Sequence, residues 1–210
     1  MCFDTDSHPP NAPIAGAAVD GAHVTLRAAD GNRFAAYRAR AKDPGPARML
    51  VLPDIRGLYT FYEELALRLA EAGIDALAID YFGRTAGVGS RGADFAYRPH
   101  VDQTTWAGLS ADIAAGVAEL RVGAPDDTAV FVVGFCFGGR LAFDAATLGL
   151  GLGGVIGFYG VPTGPRLDIP APADVVGDMR SPVLGLFGGA DAGIPAAMLA
   201  TFERALTTAR

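Results

Sequence analysis

At 210 residues, half of them hydrophobic, the chain is long enough for one domain with a sizeable core that needs neither disulfides nor a metal. A formal net charge of −6, with no clustering of its 17 lysines and arginines, argues against nucleic acid and anionic membrane surfaces as partners. Residues 1–10 have neither a basic start nor an apolar stretch, and no apolar run is long enough to cross a bilayer, so the cytoplasm is the expected compartment.

Residues 1–21, rich in Pro, Ala, Asp and Ser, are expected as an extended arm, and 22–210 as a single domain without internal repeats. Cys2 lies in the arm and Cys136 far from it, which argues against a disulfide framework. Two alternating segments, His23 to Arg27 and Arg33 to Arg38, flank the turn Asp30-Gly31-Asn32 and predict a hairpin at a sheet edge. Met49 to Leu52 is a continuous apolar strand running into Pro53-Asp54-Ile55-Arg56-Gly57-Leu58. A helix follows with Tyr62, Leu65, Ala66 and Leu69 on one face and stops at Gly73.

Ile74 to Ile79 is the next buried strand, leading into Asp80-Tyr81-Phe82-Gly83-Arg84 and a long irregular loop, Thr85 to Gln103. Thr104 or Asp102 is expected to cap a helix carrying Trp106, Leu109, Ile113, Val117 and Leu120 inward. Ala129 to Val133 and Gly154 to Phe158 read as short strands, then comes the proline-rich loop Val161 to Arg180. Pro182 to Phe187 is the last visible strand, and it presents an unpaired edge; a helix starts at Pro195 with Met198, Leu199, Phe202 and Leu206 inward. A hairpin followed by alternating strands and helices implies an α/β fold with a mostly parallel sheet and an antiparallel edge.

Between the strand ending at Val133 and the apolar helix after it lies Gly134-Phe135-Cys136-Phe137-Gly138. A small nucleophile with glycine two residues to either side, between strand and helix, is the nucleophile elbow with cysteine for serine. The nucleophile's backbone is forced into an unfavourable conformation there, and side chains two positions away would collide with the neighbouring strand and helix. At a helix start the backbone N–H groups favour a thiolate. Taken alone, Cys136 would instead be a buried structural cysteine.

In the order nucleophile, acid, histidine, Asp191 falls at the acid position; the competing reading is a solvated turn aspartate. The oxyanion hole would use the N–H of Phe137 and that of Ile55, on the loop after the first long parallel strand. Asp54 on the same loop has two readings, a carboxylate that holds the thiol's proton at rest or a loop aspartate bonding its own backbone. No histidine follows Asp191, and His100 comes too early in chain order. His8 and His23 read as solvated surface histidines.

The chain resembles the dienelactone hydrolase (carboxymethylenebutenolidase) family, of the α/β-hydrolase superfamily. The matching elements are residues 134–140, 53–58, 80–84 and 187–191, and the similarity runs from about Val24 to the end. The resemblance implies hydrolysis of a small lactone or ester, carboxylate-bearing, through an acyl-cysteine on Cys136, with Asp191 orienting a histidine. It places Asp54 where the family has a glutamate that pairs with the resting thiol, and Arg84 near the family's arginine for the substrate carboxylate, one residue offset. It calls for no metal and no cofactor. It also implies one more strand, a histidine-bearing loop and a helix, so the domain is expected to be incomplete at its C-terminus and the catalytic histidine to be absent from these residues. The competing class is a non-catalytic α/β-hydrolase-like scaffold that binds a small molecule. A thiol peroxidase is disfavoured because no resolving cysteine sits near Cys136.

Overall fold

The computed structural model describes residues 4, 6–15, 17, 19–89 and 91–209. Cys2 lies outside the described residues. The hairpin pairs β1 (Val19–Arg27) with β2 (Arg33–Ala41) antiparallel over its whole length, Val19 opposite Ala41 and Arg27 opposite Arg33. Both strands overrun the sequence expectation, and β1 takes the last residues assigned to the arm. Asp20, Gly21 and Ala22 carry no strand signal of their own. They pair with Arg40, Ala39 and Arg38 of β2, and Tyr37 and Leu67 close over Gly21, where an added Cβ would sit 2.4 Å from the Tyr37 hydroxyl.

The remaining strands are β3 (Ala47–Leu52), β4 (Asp75–Ile79), β5 (Ala129–Phe135), β6 (Gly154–Phe158) and β7 (Val183–Leu186). They form one sheet in the order β1-β2-β4-β3-β5-β6-β7; β2 meets β4 antiparallel and every later pairing is parallel. The crossovers place α1 (Thr60–Glu71) on one face and α4 (Trp106–Arg121) and α5 (Phe137–Ala145) on the other. Alternation along the strands sorts the two cores. Met49, Val51, Ala76 and Ala78 meet Tyr62 and Ala66 of α1, while Leu50, Leu52, Leu77 and Ile79 meet Ile113 and Val117 of α4. The last helix, α6 (Ala196–Thr208), packs through Phe202 on Phe143 of α5, ring centroids 5.2 Å apart.

The stretch expected as an irregular loop after Arg84 contains helical turns: α2 (Gly83–Ala86) ends inside it and α3 (Tyr97–Val101) lies near its end. Such short helices are held by tertiary contacts rather than propensity, here burial of Val101 and stacking of His100 on Phe95 at 5.0 Å. The cap of α4 is Thr105, whose hydroxyl accepts the Gly108 N–H, not Thr104 or Asp102; the Thr104 hydroxyl turns back to the Val101 carbonyl. Among the described residues β7 is paired only with β6, and Leu184 and Leu186 on it are exposed.

A buried ion pair fixes the hairpin end of the sheet. Asp75 binds the Arg48 guanidinium with one oxygen and accepts the Ala41 N–H at 2.8 Å with the other, tying β2, β3 and β4. Replacing Asp75 by Ala strands a buried cation and an N–H. The expected loss is about 3 kcal/mol of unfolding free energy, measurable by urea denaturation.

Candidate active site

Strand β5 runs straight into Cys136, whose backbone takes φ 55°, ψ −113°, a sparsely populated region for a residue with a side chain. Two backbone bonds hold it: its N–H donates to Phe158 O at 2.9 Å, and its carbonyl accepts the Arg140 N–H at 3.1 Å, opening α5. The flanking glycines are required by contact with backbone. A Cβ on Gly134 would lie 1.9 Å from Gly138 O, and one on Gly138 would lie 2.2 Å from the carbonyl oxygens of both Leu52 and Pro53. The elbow is thus wedged against the end of β3, where the 53–58 loop begins.

Cys136 opens onto a cavity of about 390 Å³ that Ile55, Phe137, Arg140, Arg166 and Leu167 also line. Phe137 is the first residue of α5, so its N–H has no intrahelical acceptor. Among the described residues the Ile55 N–H has no protein acceptor either. Both residues expected to supply oxyanion donors therefore line the cavity that holds the cysteine.

Beneath the loop lies a buried polar network. Asp54 is fully buried; Oδ1 accepts the Arg56 N–H and Oδ2 the Tyr59 hydroxyl, each at 2.9 Å, and its own N–H donates to the Tyr62 hydroxyl at 2.9 Å. The turn formed with Arg56 is the second of the two readings of this residue. Asp54 and Cys136 each lie close enough to Tyr81 to act on it. Burial first, then Asp54, Asp80 and Cys136, push the Tyr81 phenol well above its ordinary value, and it donates to Pro53 O at 2.7 Å. Burial and Asp54 likewise hold Tyr59 and Tyr62 protonated. Asp80 ties the loop from below, accepting the Leu58 and Phe82 N–H groups and pairing with Arg91 at 2.9 Å. Gly57, at φ 82°, leaves room for it: a Cβ there would meet Asp80 Oδ1 at 2.5 Å.

Asp191 sits past the carboxyl end of β7, on the same sheet edge as Cys136 but two strands over, about 10 Å at the usual strand spacing. Its Oδ1 accepts the Gly193 N–H at 2.8 Å, and it does not line the cavity. Arg84, expected to bind substrate, is turned away. Its guanidinium is taken by Asp112 of α4 and by Asp30 of the hairpin turn at 2.6 Å, so it clamps β1-β2 to α4. The histidines also lie elsewhere: His8 meets Glu64 at 2.7 Å, His23 packs edge-on to Tyr37, and His100 stacks on Phe95.

Sequence reasoning missed Tyr59, Arg140 and Arg166. Arg140 had a signal, since it stands four residues after Cys136 and so shares its helix face. Its guanidinium is buried and donates to Gly164 O at 2.8 Å and Pro170 O at 2.7 Å, with longer contacts to Val161 O and Ile169 O. One turn further, Asp144 is buried with neither oxygen hydrogen-bonded among the described residues. Burial, partly offset by Arg140, pushes its carboxyl up to about 8.

This sheet order, with a strained strand-to-helix elbow on β5 opening onto a cavity at the carboxyl edge, defines an α/β-hydrolase fold. The chain belongs to the dienelactone hydrolase family, whose sequence model matches residues 34–210. A candidate carboxymethylenebutenolidase of Methylorubrum extorquens is 32% identical over 179 residues, covering 83% of this chain and 62% of that protein. A carboxymethylenebutenolidase of a Pseudomonas species is 30% identical over 155 residues, covering 69% and 63%. The chain thus spans less than two thirds of the length of either relative. The crystal structure of a candidate dienelactone hydrolase of Klebsiella pneumoniae superposes with TM-score 0.80 at 28% identity, covering 91% of this chain and 82% of that one.

Two outcomes follow from this geometry. Gly138→Ala must push backbone against backbone, so a loss of more than about 4 kcal/mol, or failure to accumulate folded protein, is expected in denaturation or expression trials. Asp144 keeps its proton in the folded chain to about pH 8 and loses it near the ordinary carboxylate value when unfolded. Its contribution to stability is complete below about pH 4 and is lost as pH rises to about 8. Asp144→Asn should therefore match the parent near pH 4, gain on it up to about pH 8 and level off above that in thermal unfolding.

Proposed function

We propose that the chain carries the nucleophile and oxyanion machinery of a hydrolase for small, carboxylate-bearing lactones or esters, working through an acyl-cysteine. The observation that carries this is the strained backbone at Cys136, which sets the thiol at the start of α5 in one cavity with Ile55 and Phe137. The Cys136 thiolate attacks the substrate carbonyl and its C–S bond forms. The oxyanion is received by the N–H groups of Phe137 and Ile55. Collapse expels the alcohol or enol oxygen, which takes up a proton, and leaves a thioester that water then cleaves. Asp54, supported by Tyr59, moderates the thiolate at rest, since a neighbouring carboxylate opposes the pull of the helix start. Asp191 orients the histidine that activates water, and that histidine is not His8, His23 or His100.

One observation favours the second reading, a binding scaffold without turnover: among the described residues no histidine lines the cavity. Acylation separates the two. Mixing with p-nitrophenyl acetate should release about one equivalent of p-nitrophenolate per chain in a burst, with an acetyl group on the peptide containing Cys136. Cys136→Ala should abolish the burst, and His100→Ala should change it less than about twofold. A chain that binds the ester yet gives no burst and no adduct would establish the scaffold reading instead.

A further inference from the structure

Two arginines line the cavity, and they are used differently. Arg140 is spent: its Nη groups face four backbone carbonyls of the 161–170 loop. That loop is tied a second time by Asp168, whose Oδ1 accepts the Trp106 N–H at the start of α4 at 2.9 Å, and a third time by Ile169, which is 2% exposed. Between these ties the chain makes a tight turn, with Ile169 N–H donating to Arg166 O at 3.0 Å and Leu167 at φ 54°. So many constraints on one short segment, including a strained non-glycine residue, fix the direction in which Arg166 leaves the backbone.

Arg166 lies over the Phe137 ring, its guanidinium carbon 5.1 Å from the centroid. Its Nε is buried and unbonded, and no carboxylate among the described residues lies within ion-pair distance of it. The acidic residue on the wall, Asp102, is exposed. Among the described residues the cavity therefore offers one cation without a carboxylate partner or a hydrogen-bonded carbonyl, set over the ring of the residue that heads α5 and in the same cavity as Cys136.

We propose that Arg166 is the residue that selects an anionic group on the acyl side of the substrate, presented by a loop that Arg140 and Asp168 hold rigid. This assignment deepens the proposed function and rests on Cys136 being the nucleophile. A guanidinium matches a carboxylate in shape and charge, and a fixed one loses little freedom on binding it. The substrates it fits are small esters or lactones in which the reacting carbonyl sits over Cys136 while a carboxylate reaches across Phe137. Arg84 has no part in this, being held by Asp112 and Asp30.

The test uses two alkylating reagents of equal size, anionic iodoacetate and neutral iodoacetamide. In both, the Cys136 thiolate forms a C–S bond as iodide departs with the electron pair. Dividing one rate by the other, both read by mass spectrometry of the peptide containing Cys136, cancels any change in thiolate fraction. Arg166→Gln is expected to lower the iodoacetate-to-iodoacetamide ratio about tenfold, Arg166→Lys to restore most of it, and Arg84→Gln to leave it unchanged, with folding of each variant checked by thermal unfolding. A ratio unmoved by Arg166→Gln while Cys136 reacts with both reagents would overturn this inference alone. A ratio that falls in Arg84→Gln instead would return the role to Arg84. A Cys136 inert to both reagents would overturn the nucleophile reading and this inference with it.

Discussion

The contact on which the site depends is between backbones. The α-carbon of Gly138 presses against the carbonyls of Leu52 and Pro53, and Gly134 against the carbonyl of Gly138. The first turn of α5, the end of β3 and the end of β5 thus interlock with no side chain between them. Because β3 and β5 are neighbours in register, Leu52 opposite Gly134, the loop that leaves β3 must pass directly over the start of α5. That single constraint brings Ile55 and Phe137 to the same cavity and leaves Cys136 no relaxed conformation.

A second layer converts this wedge into a charged site. The 53–58 loop carries no apolar anchor at Asp54, so it is held by polar bonds. Asp80 fastens Leu58 from below, Tyr81 reaches Pro53 O, and Tyr59 and the Arg56 N–H satisfy Asp54. Burial of three phenols keeps them as donors, which suits the two buried carboxylates they surround. Arg91 supplies the compensating charge to Asp80 and stacks on Phe95 at 4.8 Å, so the same ion pair orders the long segment after α2.

The parts legible in the sequence were those whose cause is local. The elbow could be read because glycine spacing reports a steric requirement that lies within five residues, and the sheet strands because their apolar runs are continuous. The position of Asp191 past the carboxyl end of β7 could be read from strand order alone. Arg84 shows the limit. Its position after β4 was legible, but the direction of its side chain is set by Asp30 and Asp112, which are 54 and 28 residues away in the chain. Arg166 had no signal at all, since a proline-rich loop acquires its shape from distant ties, here Arg140, Asp168 and the burial of Ile169. The early start of β1 was hidden for a similar reason, because Gly21 is in a strand through its pairing with Ala39, 18 residues on.

The wedge also separates two roles that are usually entangled in an enzyme core. Every atom that enforces the bend at Cys136 belongs to the main chain: the glycine contacts, the bond to Phe158 O and the bond from Arg140 N. Those contacts are made by main-chain atoms whatever side chain stands at position 136. A change of side chain at position 136 leaves these main-chain contacts in place. The bend and the residue that occupies it are thus set by separate parts of the chain, the first by the glycines at 134 and 138 and the second by position 136 alone.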